Sequence, residues 1–327
     1  MGFYQKRKSP RVRESSTSIN NLEVVTRPWS DLPADVLSLI AEQLGIIELL
    51  SFRGVCKDWL AAASTATAKI ETSANHKPWL LFYGENSQCN LYSESLRRYT
   101  LSIPELDGAT CIASNQGWLL IFREGLMFFY CPFSHAKIDI PKLPRSVLFN
   151  HAAAFSSPPT TLDCIVTVMH RDIESGLELY FLHRGDNDWT KCKVMHNNFR
   201  DIGSATYKNQ NFYFFDKLDA LITFSVKNKF CVLHAVRKRK NNSTTTKYLS
   251  YFRSKSHFMK RDMKKQLGLG EDVSISICGT LVQNVGSDTI IFNEEVEAAE
   301  EFESGHLKGV WIQPRLFHIS PNQSWSL

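Results

Sequence analysis

No Cys-x-x-Cys pair occurs among the eight cysteines, which stand singly at 56, 89, 111, 131, 164, 192, 231 and 278. That spacing excludes a zinc ribbon and a dithiol redox motif, and it predicts buried free thiols in a reducing compartment. No apolar run approaches the ~20 residues a membrane helix needs, so no membrane partner is expected. The first thirty residues are basic and polar without an apolar core, so no secretory signal is expected either. Met1-Gly2 opens like a myristoylation site, but Lys6 stands where Ser or Thr is required. Catalytic signatures are missing as well. There is no Gly-x-Ser-x-Gly elbow and no His-Glu-x-x-His. Gly268-Leu269-Gly270 lacks the third glycine of a dinucleotide loop. His170, His183 and His196 have no acidic or sulfur partner pattern. We expect no bond-making chemistry, no metal and no cofactor.

What remains is an ordinary globular composition, 43% hydrophobic and 22% charged, with a formal charge of +5. Twenty-one phenylalanines lean it toward β structure. Residues 1–28 carry Lys6, Arg7, Lys8, Arg11 and Arg13 ahead of a Ser/Thr/Asn-rich run. They read as a disordered basic tail, either a nuclear import signal or simply solvated.

The most patterned stretch is Trp29 to Ala63. Val36, Leu37, Ile40 and Leu44 recur at helical spacing, with Pro33 in the first turn and Gly45 as the expected stop. Phe52, Val55, Cys56, Trp59 and Leu60 follow at i, i+3, i+4, i+7 and i+8, predicting one face of a second helix with Gly54 just ahead of it. Ser64 to Lys77 reads as a small-residue connection. A segment this short barely supports a core of its own, since pieces below ~40 residues usually need outside help. Its apolar side chains therefore pack on the rest of the chain or face another protein.

Leu32-Pro33-Ala34-Asp35-Val36-Leu37, then Ile40 and Leu44, then Val55-Cys56-Lys57-Asp58-Trp59 resemble the F-box, with both ends of its pattern present. Glu48 stands near where many members carry an acid before the second helix. The resemblance implies docking on the Skp adaptor of a cullin-type ubiquitin ligase. It points to Leu32, Pro33, Val36, Leu37, Ile40, Leu44, Leu50, Val55, Cys56 and Trp59 as the adaptor-binding residues, within an F-box spanning 29–70.

From Pro78 the texture becomes short apolar strands between turns. Trp79-Leu80-Leu81-Phe82 returns 39 residues later as Trp118-Leu119-Leu120-Ile121, and Ile103-Pro104-Glu105-Leu106 returns 37 residues later as Ile140-Pro141-Lys142-Leu143. Weaker copies begin at Ile165 and Asn211, and further strand-like runs lie near Val273, Thr289 and Gly309. A repeat of ~40 residues with three or four strands is the period of a propeller blade. The predicted fold is a small helical module followed by an all-β propeller of five or six blades over 78–320. An irregular sandwich is the competing arrangement.

An insert interrupts the strands. Arg237 to Lys265 holds eleven Lys/Arg against the single acid Asp262, while Glu294 to Glu303 holds six Glu. Both read as surface loops. The basic one is a solvated loop, a second nuclear signal or an anion-facing patch. With its C-terminal Trp311-Ile312-Gln313-Pro314-Arg315-Leu316-Phe317, the whole chain is similar to the plant F-box/kelch-repeat group with a KIB-type propeller, although the paired glycines of kelch repeats are absent. The resemblance implies a non-catalytic adaptor in the nucleus or cytoplasm, with the propeller binding a target protein for ubiquitination. The rival expectations are a propeller enzyme or binder, a scaffold, or a nucleic-acid binder using the basic insert. Nucleic acid is not the expected partner.

Overall fold

A computed structural model describes residues 29–72, 78–84, 87–93, 97–172, 176–194, 202–216, 220–235, 275–278, 280–285, 288–293, 307–316 and 324–326. The basic tail, the basic insert, the acidic run and His196 lie outside the described residues.

After a 3-10 turn at Trp29–Asp31 come four short helices: α1 (Ala34–Ala41), α2 (Ile46–Arg53), α3 (Lys57–Ala62) and α4 (Ser64–Thr72). Three expectations need correction here. Gly45 does not stop α1, which already ends at Ala41; it is the extended N-cap of α2. Glu48, at the third position of α2, folds back over it: a Cβ on Gly45 would lie 2.7 Å from Glu48 Oε2. Phe52 and Trp59 do not share a helix, because the chain turns through Gly54 and Val55 to Cys56, the extended N-cap of α3. Their rings still meet, with centroids 4.4 Å apart, because the turn folds α3 back on α2. Finally, the stretch read as a connection after Ala63 is helical to Thr72. Its three threonines and one serine are modest helix formers, and packing carries it instead: Ala66 is buried and Ile70, four residues on, lies against the same core cluster.

The strands follow in order. β1 (Trp79–Tyr83), β2 (Gln88–Tyr92) and β3 (Arg98–Ser102) lead. The second sheet runs β4 (Thr110–Asn115), β5 (Trp118–Arg123), β6 (Leu126–Cys131) and β7 (Ala136–Ile140). The third runs β8 (His151–Phe155), β9 (Ile165–Asp172), β10 (Gly176–His183) and β11 (Thr190–Lys193). The fourth runs β12 (Ile202–Lys208), β13 (Asn211–Asp216), β14 (Ala220–Ser225) and β15 (Phe230–Ala235). Then come β16 (Ile275–Cys278), β17 (Thr280–Val285), β18 (Asp288–Asn293) and β19 (Leu307–Ile312). β17 and β18 form a two-stranded sheet, and β19 returns to pair antiparallel with β1, Leu81 opposite Val310. β16 lies parallel on its other side, giving the order β16-β19-β1-β2-β3.

The innermost strands touch around an axis: β4 meets β8, β8 meets β12, β12 meets β17, and β17 and β19 close back on β4. This is the radial arrangement of a propeller, with five sheets among the described residues. The sequence repeat falls on equivalent places. Trp79 opens β1 and Trp118 opens β5, each the strand next to the inner one. The repeat is thus out of phase with the blades by one strand, because β19 supplies the inner strand of the first.

Strands of neighbouring blades are stitched by side chains near the axis. Ser114 Oγ donates to the Trp311 carbonyl. Asn115 Nδ2 donates to the Phe155 carbonyl at 3.0 Å, and the Tyr83 hydroxyl accepts from the Cys111 N–H at 2.8 Å. β4 and β12 each carry a register shift that bends them near the axis. Apolar packing fills the wedges between blades. Phe129 meets Phe155 edge-on at 5.0 Å and stacks on Trp325 at 5.9 Å. One continuous buried cluster runs from Leu37, Leu49 and Phe52 of the helices into Leu81, Leu91 and Trp118 of the propeller. A second, around Phe181, Phe214 and Phe224, joins the third and fourth sheets.

Candidate functional site

On the helical module the predicted residues divide by position. Leu37 is buried at 1% exposure and belongs to the inner face with Ala41 and Leu49. Leu32, Leu44, Leu50, Cys56 and Trp59 are half-buried. Pro33, Val36, Ile40 and Val55 are exposed, Val55 at 57%. Val36, Leu37, Ile40 and Leu44 therefore do not form one face. An eight-residue α1 turns Leu37 inward while Val36 and Ile40, four apart, share the outer side. The outer side also holds residues the sequence reading passed over, Trp29 (73% exposed) and Leu39 (65%), and Leu60 is exposed on α3. A count of apolar spacing finds such residues, but it does not tell the inward from the outward ones. The module is tied internally by Ser38 Oγ donating to the Ala62 carbonyl at 3.1 Å, and to the propeller by Arg97–Glu48 at 3.1 Å.

At the propeller axis, inner strands β4, β8 and β12 end at one mouth. There residues 113–116, 153–156 and 206–209 line a cavity of about 280 Å³. No lining residue is acidic; the charged one is Lys208, among Ser114, Asn115, Gln116, Thr206 and Asn209. Two of the turns are tight hairpins with positive φ, at Gln116-Gly117 and Asn209-Gln210, the geometry that joins twisted strands without splaying them. Three residues past β19, at the same mouth, Arg315 donates from Nη1 to Gln116 Oε1 at 3.2 Å. Burial lowers the pKa of its guanidinium. None of these mouth residues was singled out from sequence for a binding role.

A third cluster lies inside the third sheet. Glu178, fully buried, takes Lys191 Nζ at 2.6 Å and Arg145 Nη2 at 2.8 Å, and accepts the Tyr180 hydroxyl at 2.8 Å. Arg145 also reaches Asp172 at 2.9 Å. His170, which lacked an acidic partner in the sequence pattern, has one across the strand pair: its Nε2 lies 3.3 Å from Glu178 Oε2. Glu178 hydrogen bonds raise the pKa of Lys191, while burial lowers that of His170. His151, opposite His170, falls to about 4 through burial and the His170 charge. Glu178 and His170 are shut off from solvent, at 0% and 3% exposure, while Arg145, Asp172 and Lys191 reach in from the partly exposed rim. The group clamps the 141–150 connection to the sheet. Buried thiols are equally inert: burial pushes Cys89 to about 11 and Cys164 to about 12.

A KIB1-4 β-propeller family model matches residues 66–298, and an F-box domain model matches residues 29–66. The chain belongs to the KIB1-4 β-propeller family. Neither matched family is a catalytic one. An F-box/kelch-repeat protein of Arabidopsis thaliana is 29% identical to this KIB1-4 propeller protein over 215 residues, covering 63% of this chain and 59% of its own. An F-box protein of the same plant is 26% identical over 202 residues, covering 59% and 53%. A third, also called an F-box protein, is 30% identical over 160 residues, covering 48% and 38%. The chain thus spans little more than half the length of the first two relatives. A superposition on the solved BBS1 fragment bound to ARL6 covers half of each chain at 15% identity and a TM-score of 0.35, too low to add to the family assignment.

Proposed function

We propose that this chain is the substrate-recognition subunit of an SCF-type E3 ubiquitin ligase, its F-box docking on the Skp adaptor and its propeller holding the protein to be ubiquitinated. The observation that carries this reading is the outward apolar set on the short helices, Trp29, Val36, Leu39, Ile40, Val55 and Leu60, in a module whose inner face is already spent on the propeller core. Burying each such side chain in a partner is worth ~1.5–3 kcal/mol, enough for a few of them to dominate an interface. The half-buried Leu32, Leu44, Leu50, Cys56 and Trp59 would support that surface from beneath, together with buried Leu37. The chain itself performs no bond-making step. It raises the effective concentration of target lysines near a conjugating enzyme held by the cullin scaffold. Its place of action is the nucleus, the cytoplasm or both. The nucleic-acid alternative rests on residues 237–265, and no observation on the described residues favours it.

The test is capture of the full chain by purified Skp adaptor, with Ile40→Asp and Val55→Asp as variants. The reading requires the wild type to bind and both variants to lose capture while remaining folded. A folded wild type that ignores the adaptor sinks it.

A further inference from the structure

We infer that the crevice between the second and third blades is a peptide-binding site, filled here by the chain's own Ser324–Ser326, and that it takes from the substrate protein an aromatic residue with an acidic one beside it. The inference rests on reading the propeller as the receptor, and it adds the place and the chemistry of reception.

The occupant shows what the crevice holds. Trp325, 3% exposed, enters from a segment that belongs to no helix or strand. Its ring stacks on Phe129 of β6 with centroids 5.9 Å apart and planes 22° apart. Arg184, in the turn between β10 and β11, lies over the same ring at 5.8 Å. One wall therefore comes from the second blade and one from the third, and an aromatic side chain fills the gap between them. Among the described residues, a single hydrogen bond joins the segment to the crevice: Arg184 Nη2 donates to the Ser324 carbonyl at 2.7 Å. The Ser324 hydroxyl turns back on its own segment, donating to the Ser326 carbonyl at 3.0 Å. Such a segment leaves without breaking a strand ladder.

The fit is complete for apolar atoms and incomplete for polar ones. Nε and Nη1 of Arg184 and Nε1 of Trp325 are buried without a hydrogen-bond partner, and Arg184 has no ion pair among the described residues. Buried donors left unpaired cost free energy. Nε and Nη2 lie along one edge of the planar guanidinium, and the Ser324 carbonyl takes only Nη2. A carboxylate in that place takes both, in the bidentate pairing a guanidinium favours. Arg184 is also held ready for it. Its N–H donates to the Cys164 carbonyl at 2.9 Å, and the turn beyond is closed by the Asp186 N–H donating to the His183 carbonyl at 3.0 Å. Asp186 gives its carboxylate to that turn, Oδ2 accepting from the His183 N–H at 3.2 Å. One acid opposes binding: Asp163, whose charge, like that of Arg184, bears on Cys164, although its Oδ1 accepts from Ser157 Oγ at 3.3 Å. The ligand that improves on Ser324–Ser326 is thus aromatic for the crevice and anionic for the open edge of Arg184.

The experiment is fluorescence anisotropy with the full chain and three labelled Gly/Ser peptides, bearing a central Glu-Trp-Glu, Gln-Trp-Gln or Glu-Ala-Glu. Glu-Trp-Glu should bind saturably, Gln-Trp-Gln roughly tenfold more weakly, the usual loss of a hydrogen bond to a charged group, and Glu-Ala-Glu not at all up to about 1 mM. Trp325→Ala removes the occupant, so Glu-Trp-Glu should tighten about tenfold or more once its intramolecular competitor is gone. Arg184→Gln should bring Glu-Trp-Glu down to the affinity of Gln-Trp-Gln. Thermal unfolding shows which variants are folded before titration, and Trp325→Phe, with a smaller ring, replaces Trp325→Ala if that chain does not fold, with a smaller tightening expected. Three results overturn the inference: no saturable binding of Glu-Trp-Glu by the wild type or by a folded Trp325 variant, affinity unchanged by loss of Trp325, or a preference for Glu-Trp-Glu that survives Arg184→Gln. Peptide binding by a chain that ignores the Skp adaptor would sink the ligase reading and leave the crevice standing.

Discussion

The helical module and the third blade dispose of their side chains in opposite ways. On the helices, Leu39 and Val55 face water, and charged side chains of the module form partly exposed pairs such as Lys69–Glu42. In the third blade, a carboxylate is buried completely and three cationic or hydrogen-bonding side chains are drawn in after it. Each arrangement costs free energy unless something offsets it. For the helices no offset is found among the described residues, and under the proposed function the Skp adaptor supplies it, since exposed apolar clusters mark interaction surfaces. For the blade it is already present in Arg145, Lys191 and Tyr180. Inverted burial therefore points to a partner in one case and to internal architecture in the other.

The largest test of that contrast is Glu178→Ala. Breaking a buried ion network typically costs ~3–5 kcal/mol, so the midpoint of chemical denaturation should fall steeply, while Ile40→Asp should leave it within ~0.5 kcal/mol. Equal effects of the two changes would erase the distinction. Trp325→Ala comes next. It empties a site against Phe129 and Arg184, where loss of a buried tryptophan costs ~3–5 kcal/mol at full burial; thermal unfolding should show it without any change in adaptor capture.

A pH dependence should follow in the same blade. His151 titrates near 4 in the folded chain, below its ordinary 6.5, so the unfolded chain binds the proton first as pH falls. Stability is therefore full above about 6.5 and declines toward pH 4, by up to ~1.4 kcal/mol per pH unit from this group. His151→Asn should flatten that slope in denaturation series at pH 7, 6 and 5. The smallest effect belongs to the helices. Arg97→Ala removes an exposed pair with Glu48 and should cost ~0.2–1 kcal/mol in a double-mutant cycle, less at high salt.

Sequence made the bulky strands legible and hid the slender ones. β1, β5, β9 and β13 are dense in Trp, Leu, Ile, Val and Phe, and the repeat announced them. The inner strands β4, β8 and β12 went unnoticed because they carry Ala113-Ser114, Ala152-Ala153-Ala154 and Ser204-Ala205. Near the axis there is room only for small side chains, and small side chains give no strand signal. The mouth cavity is built from those inner strands, so it was hidden with them. Helix type was legible from Pro33 and the apolar spacing. Helix ends were not, because Gly45 serves equally as a stop or a cap. Glu178 did leave a trace, a lone acid in the apolar run Leu177 to Leu182 with Tyr180 two residues on, but its cationic partners come from 145 and 191 and no spacing rule joins them.

Closure of the first sheet by β19 sets a timetable for synthesis. β1 leaves the ribosome with β2 and β3, but its inner partner begins only at Leu307. At ~5–20 residues per second, the more than two hundred residues between them take about ten to fifty seconds to make. Throughout that interval the open edge of β1 is a template for any passing strand. The nascent chain is thus most exposed to mispairing after its helices are complete and before its ring exists, and a pause within that window would lengthen the risk.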